Sequence, residues 1–418
     1  MDMLEKINGF VWGNGLVFLL ISVGIIYTFK LGFIQLKLPV LLVKNRNSGN
    51  SGLSQLKTVC MSLGTAMGTG NITGTATALV AGGAGAVFWL WISAFLGMAI
   101  VYAENILSAK YSDRYVKGPM AYLAKGLGSP FMAWIFALFC VLASFGMGSM
   151  VQINTFVKSF ENIGNIHYIS ARIKFISAVS VFVIVWLITR GGGKSIGTTA
   201  SYMLPVASVA YMIVCISVIF VFRENIMNII ERIFTEAFSF RSAVGGGAGY
   251  AVSVGIRRGI FSNEAGLGSS PILHSAAGDT DPHTQGLWSM FEVFFDTIVC
   301  CTLTALMILC GSENFSVYEA VSSVLGGFSG IFISAETGIF ALCTVIGWYY
   351  CGNTAFLHIS GGRFEKYFCV LYAVSSASGA LFSAESVWTL SDIFNGLMII
   401  PNLLGLILLM GKVRKNSV

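Results

Sequence analysis

Gly68-Thr69-Gly70-Asn71 and Phe261-Ser262-Asn263-Glu264-Ala265-Gly266 each interrupt a stretch otherwise apolar enough to cross a bilayer. Lipid offers no partner to a freed N–H or C=O, so helix-breaking backbone persists at membrane depth only where protein or a water-filled cavity surrounds it. Both stretches therefore read as binding-site backbone.

The composition around them fixes the class. With 55% hydrophobic residues, only 11% charged ones and a mean hydropathy of +0.78, the chain cannot present an ordinary solvated surface. It reads as an all-α polytopic membrane protein with no soluble domain. The net charge of +6 comes from basic residues scattered over short loops, where they set orientation, and nucleic-acid binding is excluded. Lys6 sits beside Asp2 and Glu5, which is no signal-peptide n-region, so the first apolar run reads as a retained span. Cys140, Cys215, Cys300, Cys301, Cys310, Cys343 and Cys369 lie inside apolar stretches without metal-site spacing and read as small buried hydrophobes.

At roughly 20 residues per crossing, eleven spans are expected, near 14–29, 56–81, 86–109, 131–159, 175–188, 196–222, 243–276, 286–310, 330–350, 367–382 and 387–410. Segments 225–238 and 315–325 alternate Ile, Phe and Val with Glu231, Arg232, Glu236 and Glu319, as in short interfacial helices. The basic residues from Lys30 to Lys57, from Lys110 to Lys125, at Arg190, Lys194, Arg363 and Lys366, and from Lys412 to Lys415 fall on one side, which the positive-inside rule makes cytoplasmic. Lys6, Lys158, Arg172, Lys174, Arg223, Arg232 and Arg241 form the minority opposite, and an odd number of spans puts the amino terminus outside.

Without the first helix, the other ten form two groups of five, each opening with an interrupted segment. Five is odd, so the second group enters with opposite polarity: the inverted repeat of many secondary transporters, with substrate and ion held between broken helices at the midplane. The expected divisions are 1–52 for the peripheral helix and a cytoplasmic loop, 53–222 and 243–411 for the repeats, 223–242 for an interfacial linker and 412–418 for a cytoplasmic tail.

An unwound helix offers N–H groups at one half-helix start and C=O groups at the other half-helix end, suited to a carboxylate and a cation. Gly68 and Gly70 allow close approach, Thr69 adds a hydroxyl, Asn71 an amide, and Ser262 and Asn263 repeat those groups in the second break. Hard oxygen ligands without a Cys/His cluster favour an alkali ion or a zwitterion over a transition metal. The spacing of Gly64, Gly68, Gly70 and Gly74 also fits a helix-packing face, but the second break favours the binding reading. Glu264 reads equally as a backbone-bonded structural group or an ion ligand, and Glu104 as a buried carboxylate with a structural partner. Arg257 and Arg258 could gate an outer vestibule or snorkel to an interface. His167, His274, His283 and His358 lie apart and form no evident relay. A channel would need a continuous polar lining, and an enzyme a nucleophile, acid pair or metal set; neither pattern is present.

The stretches Gly68-Thr69-Gly70-Asn71-Ile72, Phe88-Trp89-Leu90-Trp91, Ala143-Ser144-Phe145-Gly146 with Met150-Val151-Gln152, and Arg258 through Ser269 carry a wider pattern, as do Ile346-Gly347-Trp348-Tyr349-Tyr350 and Asp392 through Met398 with Pro401-Asn402. On these residues the chain resembles the alanine or glycine:cation symporter family, also called sodium:alanine symporters, over nearly its whole length. The resemblance implies a leucine-transporter-like 5+5 inverted repeat with one extra amino-terminal helix. It implies sodium-coupled uptake of small neutral amino acids, chiefly alanine and glycine, across a bacterial or archaeal plasma membrane. A proton or another cation is the alternative coupling ion. It places substrate between Thr69, Gly70 and Asn71 on one break and Phe261, Ser262 and Asn263 on the other, with Gln152 as a further wall. It places sodium at the carbonyls of Gly64 and Met67 beside Cys343 and Thr344. There the chain departs from its family, since a Ser-Thr pair is expected where Cys343-Thr344 stands, and a thiol is a poor ligand for a hard cation. Asn353 and Ala84 replace a common acid and a common loop proline. No organic cofactor is implied, the partners are amino acid, sodium and membrane lipid, and nothing asks for more than a monomer.

Overall fold

A computed structural model describes residues 2–44, 55–113, 115–163, 169–238, 249–277 and 281–413, in which every regular element is helical. Arg46, Arg114, His167, Arg241, Arg414 and Lys415 lie outside the described residues, as does the start of the expected 243–276 span.

The chain opens with α1 (Asp2–Val11), α2 (Asn14–Lys30) and α3 (Ile34–Lys44). The first interrupted segment is α4 (Gln55–Ala66), then a π-turn (Gly70–Gly74), then α5 (Thr75–Gly82). There follow α6 (Gly85–Tyr111), a short α7 (Gly118–Ala121), α8 (Pro130–Phe145), a π-turn (Gly146–Met150), α9 (Val151–Ser159), α10 (Ala171–Thr189), α11 (Gly192–Val221) and α12 (Ile226–Ala237). The second interrupted segment is α13 (Gly249–Asn263) and α14 (Ser269–His274). Then come α15 (Pro282–Val293), a long π-turn (Phe294–Cys301), α16 (Thr302–Gly311), α17 (Val317–Leu325), α18 (Ser329–Ser360), α19 (Glu365–Ser378) and α20 (Ala384–Leu408).

Several starts are written in the sequence. Ser129 caps α8 by accepting from Met132 N at 3.3 Å, with Pro130 following, and Asp281 caps α15 by accepting from Thr284 N at 2.8 Å, with Pro282 following. Among the described residues eight helical runs are long and apolar enough to cross a membrane. The two interrupted segments and the shorter α19 complete the expected architecture of about eleven crossings.

Three details differ from the sequence reading. The second break follows Asn263 instead of running through Phe261, because α13 keeps its hydrogen bonding as far as Glu264 N to Ile260 O at 2.9 Å. The span expected to end at 350 continues as α18 to Ser360, where left-handed Gly361 stops it. The loop after the first span contains α3, too short and too interrupted by Lys37 and Pro39 to register as a crossing.

Packing brings the breaks together crosswise. α5 lies against α13 and α4 against α14, the antiparallel exchange that an inverted repeat requires. Met67 and Ile72 of the first break belong to one apolar core, with Leu204, Tyr211 and Cys343, whereas Phe261 of the second belongs to another, with Trp348 and Leu403. The breaks therefore meet on the seam between two cores. On one rim α12 is clamped to the loop before α6: Glu236 Oε2 accepts from Ala84 N at 2.9 Å, and Trp89 Nε1 donates to Ala237 O at 3.1 Å. A proline at residue 84 could not make the first of these bonds.

Candidate functional site

At the first break Gly68 N turns back to Ala66 O at 2.8 Å, which leaves Thr69 without a helical partner. Gln152 supplies one from α9: its Oε1 accepts from both Thr69 N and Thr69 Oγ1, each at 3.0 Å. The π-turns bordering the cluster, Gly70–Gly74 and Phe294–Cys301, each insert an extra residue and re-aim the side chains around it, a frequent device at functional sites.

The second break is held differently. Glu264, Gly266 and Gly268 have φ of 57°, 85° and 81°, a left-handed path in which a non-glycine residue is costly. Its freed groups are satisfied on the spot, Ala265 N by Asn263 Oδ1 at 3.1 Å and Gly266 O by Asn402 Nδ2 at 2.8 Å. Both carboxylate oxygens of Glu264 are engaged, Oε1 by Trp348 Nε1 at 2.7 Å and Oε2 by Ser269 Oγ at 2.5 Å. The partners of Glu264 are thus the side chains of Trp348 and Ser269, not the freed backbone N–H groups expected of a structural role. Glu104 receives a bond from Asn402 Nδ2, which places it behind the same break.

Asp296, on the π-turn between α15 and α16, joins the two breaks. Asn71 Nδ2 donates to Asp296 Oδ1 at 2.7 Å, while Ser262 Oγ and Thr297 Oγ1 donate to Oδ2 at 2.7 and 2.9 Å. The carboxylate is fully buried, and among the described residues no lysine, arginine or histidine pairs with it. Such a group accepts a cation or a proton, since an uncompensated buried charge is expensive. Asn71 Oδ1 is buried in this cluster without a hydrogen-bond partner, and so is Asn263 Nδ2 of the second break. Sequence reasoning missed Asp296 by treating 286–310 as one apolar run; the acid four residues after Glu292 inside that run was the available signal.

The breaks touch where Gly70 sits. A Cβ there would stand 3.4 Å from the Phe261 ring and 3.5 Å from Ser262 Cα. Phe261 stacks on Trp388 with centroids 4.8 Å apart, and the Arg258 guanidinium lies 4.9 Å from the Trp388 ring centre, so an aromatic and cationic layer covers this side. Trp348, from the Ile346–Tyr350 stretch, has its indole N–H committed to Glu264.

The expected ion residues also converge. Thr344 Oγ1 donates to Gly64 O at 3.1 Å, and a Cβ on Gly68 would fall 2.5 Å from that hydroxyl. Cys343 lies with Leu63, Met67 and Leu204 in an apolar cluster, its Cβ 3.3 Å from where one on Gly64 would be. All nine cysteines are free and buried.

The profile of the sodium:alanine symporter family matches residues 1–417. The sodium/alanine symporter AgcS of Methanococcus maripaludis is 35% identical over 99% of this chain and 95% of its own. GlnT of Bacillus subtilis, whose name couples sodium to glutamine, is 35% identical over 96% of this chain and 87% of its own. Among solved structures, MhsT in complex with L-phenylalanine superposes with a TM-score of 0.55 over 84% of this chain and 89% of that one, at 17% identity, a likeness of fold. A whole-length family match, a shared transporter fold and helices fit to span a bilayer agree, and the chain belongs to the sodium:alanine symporter family, a family of membrane transporters.

Proposed function

We propose that this protein is a sodium-coupled symporter of small neutral amino acids, alanine and glycine above all, working by alternating access. One observation carries the reading: a single buried carboxylate, Asp296, bonded to Asn71 of one break and Ser262 of the other. Substrate lies between Thr69, Gly70 and Asn71 and the facing Phe261, Ser262 and Asn263, with Gln152 fixing the first break. Its charged ends meet the polar backbone of the breaks and the carboxylate beside them. Sodium sits at the carbonyls of Gly64 and Met67 with Thr344, at the edge of the first break, where Cys343 contributes bulk more than ligation. The contact of Gly70 with Phe261 and Ser262 leaves room for a small side chain only; exclusion by size contributes about 1–3 kcal/mol per methylene.

Sodium entering from outside draws the two breaks together and completes the amino-acid site. The first two helices of each repeat, 53–222 and 243–411, then rock against the remaining scaffold so that the same site opens to the cytoplasm, with the amino terminus outside. A membrane potential supplies about 2.3 kcal/mol per charge per 100 mV, more than a decade of accumulation for one ion.

The test is uptake of labelled alanine into proteoliposomes under imposed sodium, lithium or proton gradients. Accumulation that follows the sodium gradient is the expected result. Uptake indifferent to every cation gradient overturns the symport reading, and accumulation driven by protons alone replaces the coupling ion.

A further inference from the structure

Away from the Asp296 cluster, a second chain of buried polar groups runs between α4, α14 and α15. Ser62 Oγ donates to Glu292 Oε2 at 2.7 Å, His274 Nε2 lies 3.0 Å from Glu292 Oε1, and His274 Nδ1 lies 2.6 Å from Gln285 Oε1. Gln285 Nε2 then donates to Gln55 Oε1 at 2.7 Å. His274, Gln285, Glu292 and Ser62 are each no more than 4% exposed. Gln55 and Ser62 belong to the first half-helix of one break, His274 to the last half-helix of the other.

The oxygens of a glutamine amide and a carboxylate only accept hydrogen bonds. Both ring nitrogens of His274 face such oxygens, so the arrangement is complete only when both carry hydrogen, and the resulting imidazolium is balanced by Glu292. Removing one proton leaves a ring lone pair against an oxygen. Repair requires Gln285 to turn its amide, which presents Oε1 to Gln55 and requires Gln55 to turn as well; Gln55 Nε2 already stands 3.4 Å from Gln285 Oε1. Protonation at His274 is thus registered at Gln55, on the half-helix that rocks in alternating access.

The other titratable groups nearby are accounted for. Cys60 of α4 and Glu264, before α14, lie within electrostatic reach of Glu292. His283 of α15 is bound to Tyr102 OH of α6 at 2.7 Å, Cys351 of α18 lies 3.9 Å from Ser269 O, and Lys57 of α4 donates to Thr198 Oγ1 at 3.1 Å.

We propose that His274 is a proton-binding site whose occupied form latches the start of α4 to α14 and α15, and whose release unlocks that side of the transporter. The motion rests on the transport reading; the proton site does not depend on which substrate moves.

The test begins with protein labelled with 15N-histidine in lipid nanodiscs, titrated by NMR, with the His274 signal assigned by its loss in His274→Gln. A doubly protonated ring at pH 7 is expected, with its titration moved down by at least about one pH unit in Glu292→Gln. Amide exchange over 55–66, compared at one pH, should quicken roughly fivefold in Glu292→Gln, the factor of one lost hydrogen bond. If that variant does not accumulate, Gln55→Ala, at the partly exposed end of the chain, should give the same quickening. A neutral His274 ring at pH 6, a titration unmoved by Glu292→Gln, or unchanged exchange over 55–66 each overturns the latch. Both measurements run without substrate, so a failure of alanine uptake counts against the transport reading alone.

Discussion

The first break is held by a side chain from another helix, the second by its own left-handed backbone together with side chains from its own segment, α18 and α20. Between Met67 and Gly74 no residue takes a positive φ, and the freed Thr69 N–H is met from another helix by Gln152. Between Glu264 and Gly268 three residues are left-handed, Asn263 and Ser269 bond within the segment, and Trp348 of α18 and Asn402 of α20 complete it from outside. The first is a soft turn whose geometry depends on what lies around it; the second is a preset template. Fold symmetry relates the two segments, yet their chemistry divides into a responsive half and a fixed half, joined through Asp296.

Asp296→Asn tests that junction and should have the largest effect. It removes the charge behind the bonds from Asn71 and Ser262, each worth about 1.5–3 kcal/mol when one partner is ionised. Together they predict a fall of roughly 100-fold or more in alanine uptake efficiency, measured as kcat/KM in proteoliposomes. A loss under about tenfold would mean that the breaks act independently.

A pair of glycine replacements sharpens the contrast. In Gly268→Ala the new Cβ would stand 2.5 Å from Pro119 Cγ and 3.1 Å from Phe136 Cζ, at a φ of 81°. Left-handed strain of about 1–2 kcal/mol adds to overpacking of about 1–3 kcal/mol, so the thermal midpoint should drop by several degrees. Gly70→Ala meets only ordinary contacts with Phe261 and Ser262. It should leave the midpoint in place and raise the KM for alanine; equal midpoint losses in both variants would erase the distinction between template and responsive turn.

The architecture was legible because membrane solvation leaves few options: apolar runs near 20 residues, two interruptions and an odd repeat length restrict the fold before any contact is known. Asn71 and Ser262 were legible because polar residues at a break have few other uses. Asp296 and the His274 chain were not, since both depend on partners over 30 residues or on different helices: Asn71 and Asp296 are separated by 225 positions, and Ser62 and Glu292 by 230. The partners of His274 are a carboxylate and an amide, which the histidine pattern does not contain.

Gln152→Leu probes the responsive half alone. It leaves Thr69 N–H without its acceptor at an estimated cost of about 1–3 kcal/mol, which predicts a rise of roughly tenfold in KM with Gly268-dependent stability intact. A variant that loses thermal stability as much as uptake would place Gln152 among the structural supports.

The smallest effect belongs to the proposed ion site at the edge of the first break. Thr344 Oγ1 stands beside Gly64 O, two hard oxygens 3.1 Å apart, whereas Cys343 shares its surroundings with Leu63 and Leu204. Thr344→Ala should therefore weaken apparent sodium affinity by roughly tenfold, the loss of one oxygen ligand. Cys343→Ser should strengthen it by no more than about threefold, because the new hydroxyl must be drawn out of an apolar cluster before it can ligate, and that desolvation offsets most of the gain from a harder donor. The two variants are read together in sodium-activation curves at fixed alanine. A tenfold gain in Cys343→Ser would show the soft first break closing around whatever ligand residue 343 offers; no change would mean that residue 343 is not a ligand.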